Sequence, residues 1–211
     1  MSKDTEFVVR VIADTVLENE AYFSELDGVV GDGDFGYSLA RGFEKVLAEW
    51  DNLDHSLPGN FLKKVSATII SAVGGVSGTI WGTAFLRAGM TLGAKTEITR
   101  QDVIAMFRSI IEGIKKRGNC DLGDKTYLDA LVPAIDTLEK AFNEGKEIPV
   151  ALEEAAVVAR ESAEATRILV AKRGRASYTG ERSIGTLDAG AVAVAVIFEA
   201  ISKAWKEQPN F

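Results

Sequence analysis

Asp27, Asp32 and Asp34 crowd into the stretch LDGVVGDGDFG, between Gly28, Gly31, Gly33 and Gly36. Carboxylates are hard oxygen ligands, and a set made only of oxygen suits Mg²⁺ or Ca²⁺, of which Mg²⁺ usually binds together with phosphates. In an extended loop Asp32 and Asp34 point the same way. Asp27 joins them only if the backbone folds back, which the intervening glycines permit. The stretch is not an EF-hand, because Gly36 and Phe43 stand where that loop needs acidic ligands. A plainer reading also fits the residues: Asp34 caps a helix starting near Gly36, and Asp32 shapes the turn.

Other stretches carry chemistry less specifically. GGVSGT, from Gly74, brings glycine-rich backbone, Ser77 and Thr79 to the start of a helix, where N–H groups face an anion. The same pattern serves close helix packing. Lys172, Arg173, Arg175 and Arg182 cluster in one loop, as a polyphosphate site or as a solvated surface. GDKT at Gly123 lacks the Walker spacing and a preceding strand. His55, the sole histidine, lies in a polar linker, and Cys120, the sole cysteine, has no activating neighbour.

These residues need a scaffold, and the scaffold reads as helical. Val103, Met106, Phe107, Ile110, Ile111 and Ile114 recur at helical steps, as do Leu128, Leu131, Val132, Ile135, Leu138 and Phe142. Further helices are expected over 5–24, 36–50, 60–73, 77–93, 150–171 and 189–206. AVAVAV near Ala191 alternates like a strand but runs into IFEAISKAW and favours helix. Thr99 and Asp102 form a capping-box pattern. Pro58, Pro149 and Pro209 fall near helix ends or linkers, whereas Pro133 should kink its helix. No repeat or composition break divides residues 1–211, so one all-α domain of about eight helices is expected. A net charge of −7 and a pI near 4.9 speak against nucleic acid. The start MSKDTEFVVR lacks the pattern of a signal peptide, and the longest apolar run, Ala189 to Phe198, is too short to span a bilayer. A cytoplasmic chain without membrane contact is expected.

Taken in order, LDGVVGDGDFG, SAVGGVSGTIWGT, RGNCDLGDKTYLDALVP and GRASYTGERSIGTLDAGA resemble the nucleotide-binding L subunits (DhaL) of dihydroxyacetone kinases over nearly the whole chain. The resemblance implies a closed antiparallel barrel of eight helices with the nucleotide and metals at one end. It implies that Asp27, Asp32 and Asp34 ligate two Mg²⁺ ions, which hold the phosphates of ADP or ATP. Phe35, Gly36, Tyr37 and Ser38 would open the helix beside the nucleotide, and Val76, Ser77 and Thr79 would contact phosphate. Gly118, Tyr127, Arg175, Asp188, Ala189 and Gly190 would line the nucleoside end. Phe35 and Ser38 stand where many relatives have His and Asn.

The family transfers a phosphoryl group from the nucleotide to dihydroxyacetone held covalently on a K-type subunit. In the phosphotransferase-dependent branch, bound ADP is recharged by a phosphohistidine M-type subunit. A free-standing chain of this length fits that branch. The residues leave open a homodimer, an ATP-dependent kinase for a related ketose such as erythrulose, and a non-catalytic nucleotide-binding adaptor.

Overall fold

A computed structural model describes residues 2–208; Pro209 lies outside them. Among the described residues there are helices and turns and no strand. In chain order the α-helices are α1 (Ser2–Glu18), α2 (Glu20–Gly28), α3 (Phe35–Ala48), α4 (Pro58–Ala72), α5 (Gly75–Leu92), α6 (Arg100–Gly118), α7 (Tyr127–Asn143), α8 (Ile148–Ala165) and α9 (Ala189–Glu207). Each packs on its successor, apart from the α1–α2 pair that runs nearly end to end, and α9 closes the ring against α1. Short connections make neighbours antiparallel.

The helix expected over 5–24 is two helices. Asn19 leaves helical geometry (φ −109°, ψ 13°), and its side chain donates to the Thr15 carbonyl at 2.8 Å. Counting α1 and α2 as one bent rod gives the eight staves of a barrel. The Thr99–Asp102 box forms as expected at the start of α6. A second box, Thr126 with Asp129, opens α7, and α7 runs on through Pro133. The helix expected over 150–171 stops at Ala165, followed by a 3-10 turn, Thr166–Ile168. The buried Thr166 hydroxyl, which donates to the Ala163 carbonyl at 2.6 Å, also accepts the Asp188 N–H at 3.0 Å, so it ties this turn to the start of α9.

One continuous apolar cluster takes side chains from every helix. Phe23, Phe43 and Phe61 are fully buried, each contributing about 1.5–3 kcal/mol by leaving water. Alanines 151, 155, 159 and 163 of α8 repeat every fourth position and are buried, which lets α7 and α9 approach it closely. Inside the ring lies an apolar cavity of about 350 Å³, with Val9, Ile12, Phe85, Met106 and Phe198 in its wall.

Candidate metal and nucleotide site

Antiparallel order places the N-termini of α3, α5, α7 and α9 at the same end as the C-termini of α2, α4, α6 and α8. Four C-termini share that end, so an anion is favoured only close to first-turn N–H groups left uncapped: side chains cap the starts of α7 and α9, and none caps the start of α5. Contacts across this end confirm the convergence. The rings of Phe35 (α3) and Tyr127 (α7) lie 5.9 Å apart, and Tyr127 meets Trp81 (α5) at 6.1 Å. Gly190 of α9 is pressed against the same ring: a Cβ there would sit 2.9 Å from Tyr127 carbons.

Asp27 lies in the last turn of α2, not in a loop. The chain reverses after it, with the Gly31 N–H donating to the Asp27 carbonyl at 2.6 Å and the Gly33 N–H donating to its carboxylate at 2.9 Å. This returns Asp32 and Asp34 to Asp27, and each of the three offers an oxygen within 4.8 Å of the others. It is the one such grouping among the described residues. Asp34 occupies the N-cap position of α3, yet its side chain makes no capping bond, so capping does not account for the carboxylate. Partial burial pushes the Asp27 carboxyl up; the Gly33 N–H opposes this, and the charges of Asp32 and Asp34 reinforce it. Such a like-charged set calls for a cation between its members.

A cation is in fact there. Arg175, on the 3-10 segment Arg175–Ser183, donates to Asp34 at 3.0 Å and pairs with Asp32. Its hydrogen bond holds the Asp32 carboxyl below the usual range, and the two carboxylates raise the guanidinium. The guanidinium stands in for a metal charge on these oxygens, and the donor set, all carboxylate and partly open to solvent, fits Mg²⁺.

The remaining expected residues stand at the starts of α3, α5, α7 and α9, at the end of α6 and in the α8–α9 connection. Gly36 lets α3 lie against α2, where a Cβ would collide with the Glu20 carbonyl. The Phe35 side chain is buried between Phe23 and Tyr127, so its ring serves the core and only its backbone faces the site. Tyr37 is half exposed, and its N–H donates to the Ser24 hydroxyl at 3.1 Å. Ser38, whose N–H closes the first turn of α3 on the Asp34 carbonyl, keeps part of its surface. Val76 is exposed on the rim, Ser77 stands beside the Tyr127 hydroxyl, and the Thr79 hydroxyl is turned back onto the Gly75 and Val76 carbonyls at 2.9 Å. Gly118 ends α6 above the buried Cys120. Asp188 caps α9 through the Ala191 N–H at 2.7 Å, next to Ala189 and Gly190. Enclosure pushes its carboxyl up to about 7, against the pull of the Ala191 N–H.

Of the basic cluster, only Arg175 reaches the aspartates. Lys172 and Arg173 bind Asp124, and Arg182 donates to the Thr179 carbonyl. His55 is remote, held by Glu6 and the Trp50 carbonyl. Lys125 of GDKT, not among the expected site residues, is buried with its ammonium on backbone carbonyls. The signal was a lysine immediately before a helix N-cap, where a cation is disfavoured by the helix dipole and so needs another reason to be there.

Residues 29–203 match the DAK2 domain model. The chain is 38% identical over 186 residues to the PEP-dependent dihydroxyacetone kinase ADP-binding subunit DhaL of Escherichia coli K12, covering 88% of this chain and 89% of that one. It is 34% identical to the L-erythrulose kinase of Pectobacterium atrosepticum, covering 90% of this chain but 32% of that protein. The fold superposes with a TM-score of 0.70 and 25% identity on the dihydroxyacetone kinase of C. freundii in complex with AMP-PNP and Mg²⁺, over 93% of this chain and 33% of that one. The chain belongs to the DAK2 domain family.

Proposed function

We propose that this chain is the nucleotide-binding subunit of a dihydroxyacetone kinase. Asp27, Asp32 and Asp34 would hold Mg²⁺ against the phosphates of ADP or ATP, and the phosphoryl group would pass to dihydroxyacetone carried on a K-type subunit. The observation that carries this reading is the meeting of three carboxylate oxygens within 4.8 Å at the end where four helix N-termini converge. The E. coli relative, named as an ADP-binding subunit and matched over most of both chains, supports the choice of nucleotide.

The residues divide the work by position. When bound, Mg²⁺ neutralises phosphate charge and orients the transferred group for in-line displacement. The carboxylates fix that charge. Backbone N–H groups at the starts of α5 and α9, with Ser77, face phosphate or ribose oxygens. Tyr127 and Gly190 shape the nucleoside wall. Arg175, which pairs with Asp32 and Asp34, would meet phosphate oxygens were a metal held on those carboxylates.

The K-type and M-type partners follow from the same reading. Val29, Tyr37, Val76 and Tyr178 are all exposed on the segments that carry the site, with Tyr178 at 87%, which suits docking of a partner over the nucleotide. Among the described residues no helix is long and apolar enough to cross a membrane. The test is reconstitution. Alone with ATP, Mg²⁺ and dihydroxyacetone, the chain should form no triose phosphate above background. With a K-type subunit it should give one turnover per bound nucleotide, and with a phosphohistidine donor continuous turnover. Sustained phosphorylation by the isolated chain would contradict the subunit reading. The likeness to an L-erythrulose kinase supports a second reading with that ketose; assays of both sugars with the same K-type partner separate the two.

A further inference from the structure

Lys125 spends a charge in an unusual place. It is 3% exposed and its backbone lies in the left-handed region (φ 62°), which a residue with a Cβ enters under strain. No carboxylate among the described residues pairs with it directly. Its ammonium donates instead to the Leu169 carbonyl (3.2 Å), the Ser183 carbonyl, and the Thr186 carbonyl (2.9 Å) and hydroxyl (3.3 Å). All of these lie on the connection between α8 and α9.

Asp124, also buried, grips the same connection from the other side. Its carboxylate accepts from Lys172 (3.2 Å) and Arg173 (3.1 Å), and its carbonyl accepts the Lys172 N–H (3.1 Å). The neck of the loop is closed by the Ala171 N–H donating to the Ser183 hydroxyl at 2.9 Å. Lys125 thus joins both strands of the neck, and Asp124 fixes the residues that lead directly into Gly174 and Arg175. Beyond the neck the loop is mostly exposed, and its reach into the site is the pairing of Arg175 with Asp32 and Asp34.

We propose that Lys125, together with Asp124, is a positioning residue: the pair clamps the neck of the 171–183 loop and so sets Arg175 over the carboxylates that hold the metal and nucleotide. The proposal rests on the function assigned above for the nucleotide's identity, not for the clamp itself. Burial of an ammonium on carbonyls alone is a poor source of stability. It is well suited to direction, because donors radiating from one atom fix two chain segments, at Leu169 and at Ser183 to Thr186, relative to each other.

Two readouts test it. Amide hydrogen exchange needs no ligand: Lys125→Met should raise exchange across 172–183 at least tenfold and leave α4 to α7 protected. Calorimetry with ADP and Mg²⁺ gives the second: Lys125→Met and Arg175→Ala should each weaken binding about tenfold, and the double variant no more than Arg175→Ala alone. A lysine that merely supported the fold would add its loss to that of Arg175→Ala. Asp124→Asn leaves Lys125 in place and should reproduce the loop exchange and the non-additivity if Lys125→Met fails to fold. Unchanged exchange in 172–183 for Asp124→Asn, or additive losses with Arg175→Ala, would overturn the clamp. Absence of Mg²⁺-ADP binding in the wild type would overturn the proposed function instead, with the exchange result still deciding the clamp.

Discussion

Asp34 carries the clearest prediction at the residue scale. Its side chain is exposed, makes no cap, and meets only Arg175 among the described residues, so Asp34→Asn should shift unfolding by less than about 1 kcal/mol. Calorimetry of the same variant should show Mg²⁺-ADP binding weakened more than tenfold. Asp188 makes a prediction about pH. Its carboxyl is about 7 when folded against an ordinary value of 3.8, so the folded chain binds the proton more tightly than the unfolded one. The stability this contributes is present below pH 3.8 and is lost as pH rises through about 7. Asp188→Asn keeps a capping side chain and should flatten that loss, seen as a smaller fall in urea midpoint between pH 5 and pH 8 than in the wild type. The three aspartates were legible because carboxylates on glycine-rich backbone are a local pattern. Lys125 was not, since its partners lie 44 to 61 residues further along the chain and no local rule connects them.

At the scale of elements, apolar periodicity located α3 to α9 closely. It missed the break at Asn19, because α1 and α2 keep their apolar residues on one side across it. It also read 166–171 as helix; the Thr166 hydroxyl at the end of α8 accepts the Asp188 N–H, a partner far along the sequence. The linker after α3 makes its own prediction. His55 donates from both ring nitrogens, Nε2 to the Trp50 carbonyl at 2.8 Å and Nδ1 to the Glu6 carboxylate at 3.1 Å, tying the linker to α1. A ring that donates at both is protonated, and the Trp50 carbonyl first, then Glu6, raises its pKa. The resulting stability is fully present below the unfolded value of about 6.5 and is lost as pH rises through the raised folded value. His55→Ala should remove this dependence, at a cost below about 1 kcal/mol at pH 6 because the pair is partly screened by water, and should leave nucleotide binding unchanged.

For the whole molecule, the site is a consequence of ring closure. No helix start makes the site alone; the antiparallel order brings four of them to one rim, with Asp27 of α2 and with Asp32 and Asp34 of the turn before α3. A ligand bound there by the native state alone stabilises the whole barrel by RT ln(1 + [L]/Kd), about 2.7 kcal/mol at a hundredfold excess over Kd. Mg²⁺ with ADP should therefore raise Tm, and EDTA should reverse the gain. The most direct test of the metal's role is calorimetric titration of ADP into the wild type with Mg²⁺ and again with EDTA. Binding in Mg²⁺ that weakens more than tenfold in EDTA is the predicted result; equal affinity in both would mean that the protein, rather than a metal on Asp27, Asp32 and Asp34, holds the phosphates, and would contradict the account.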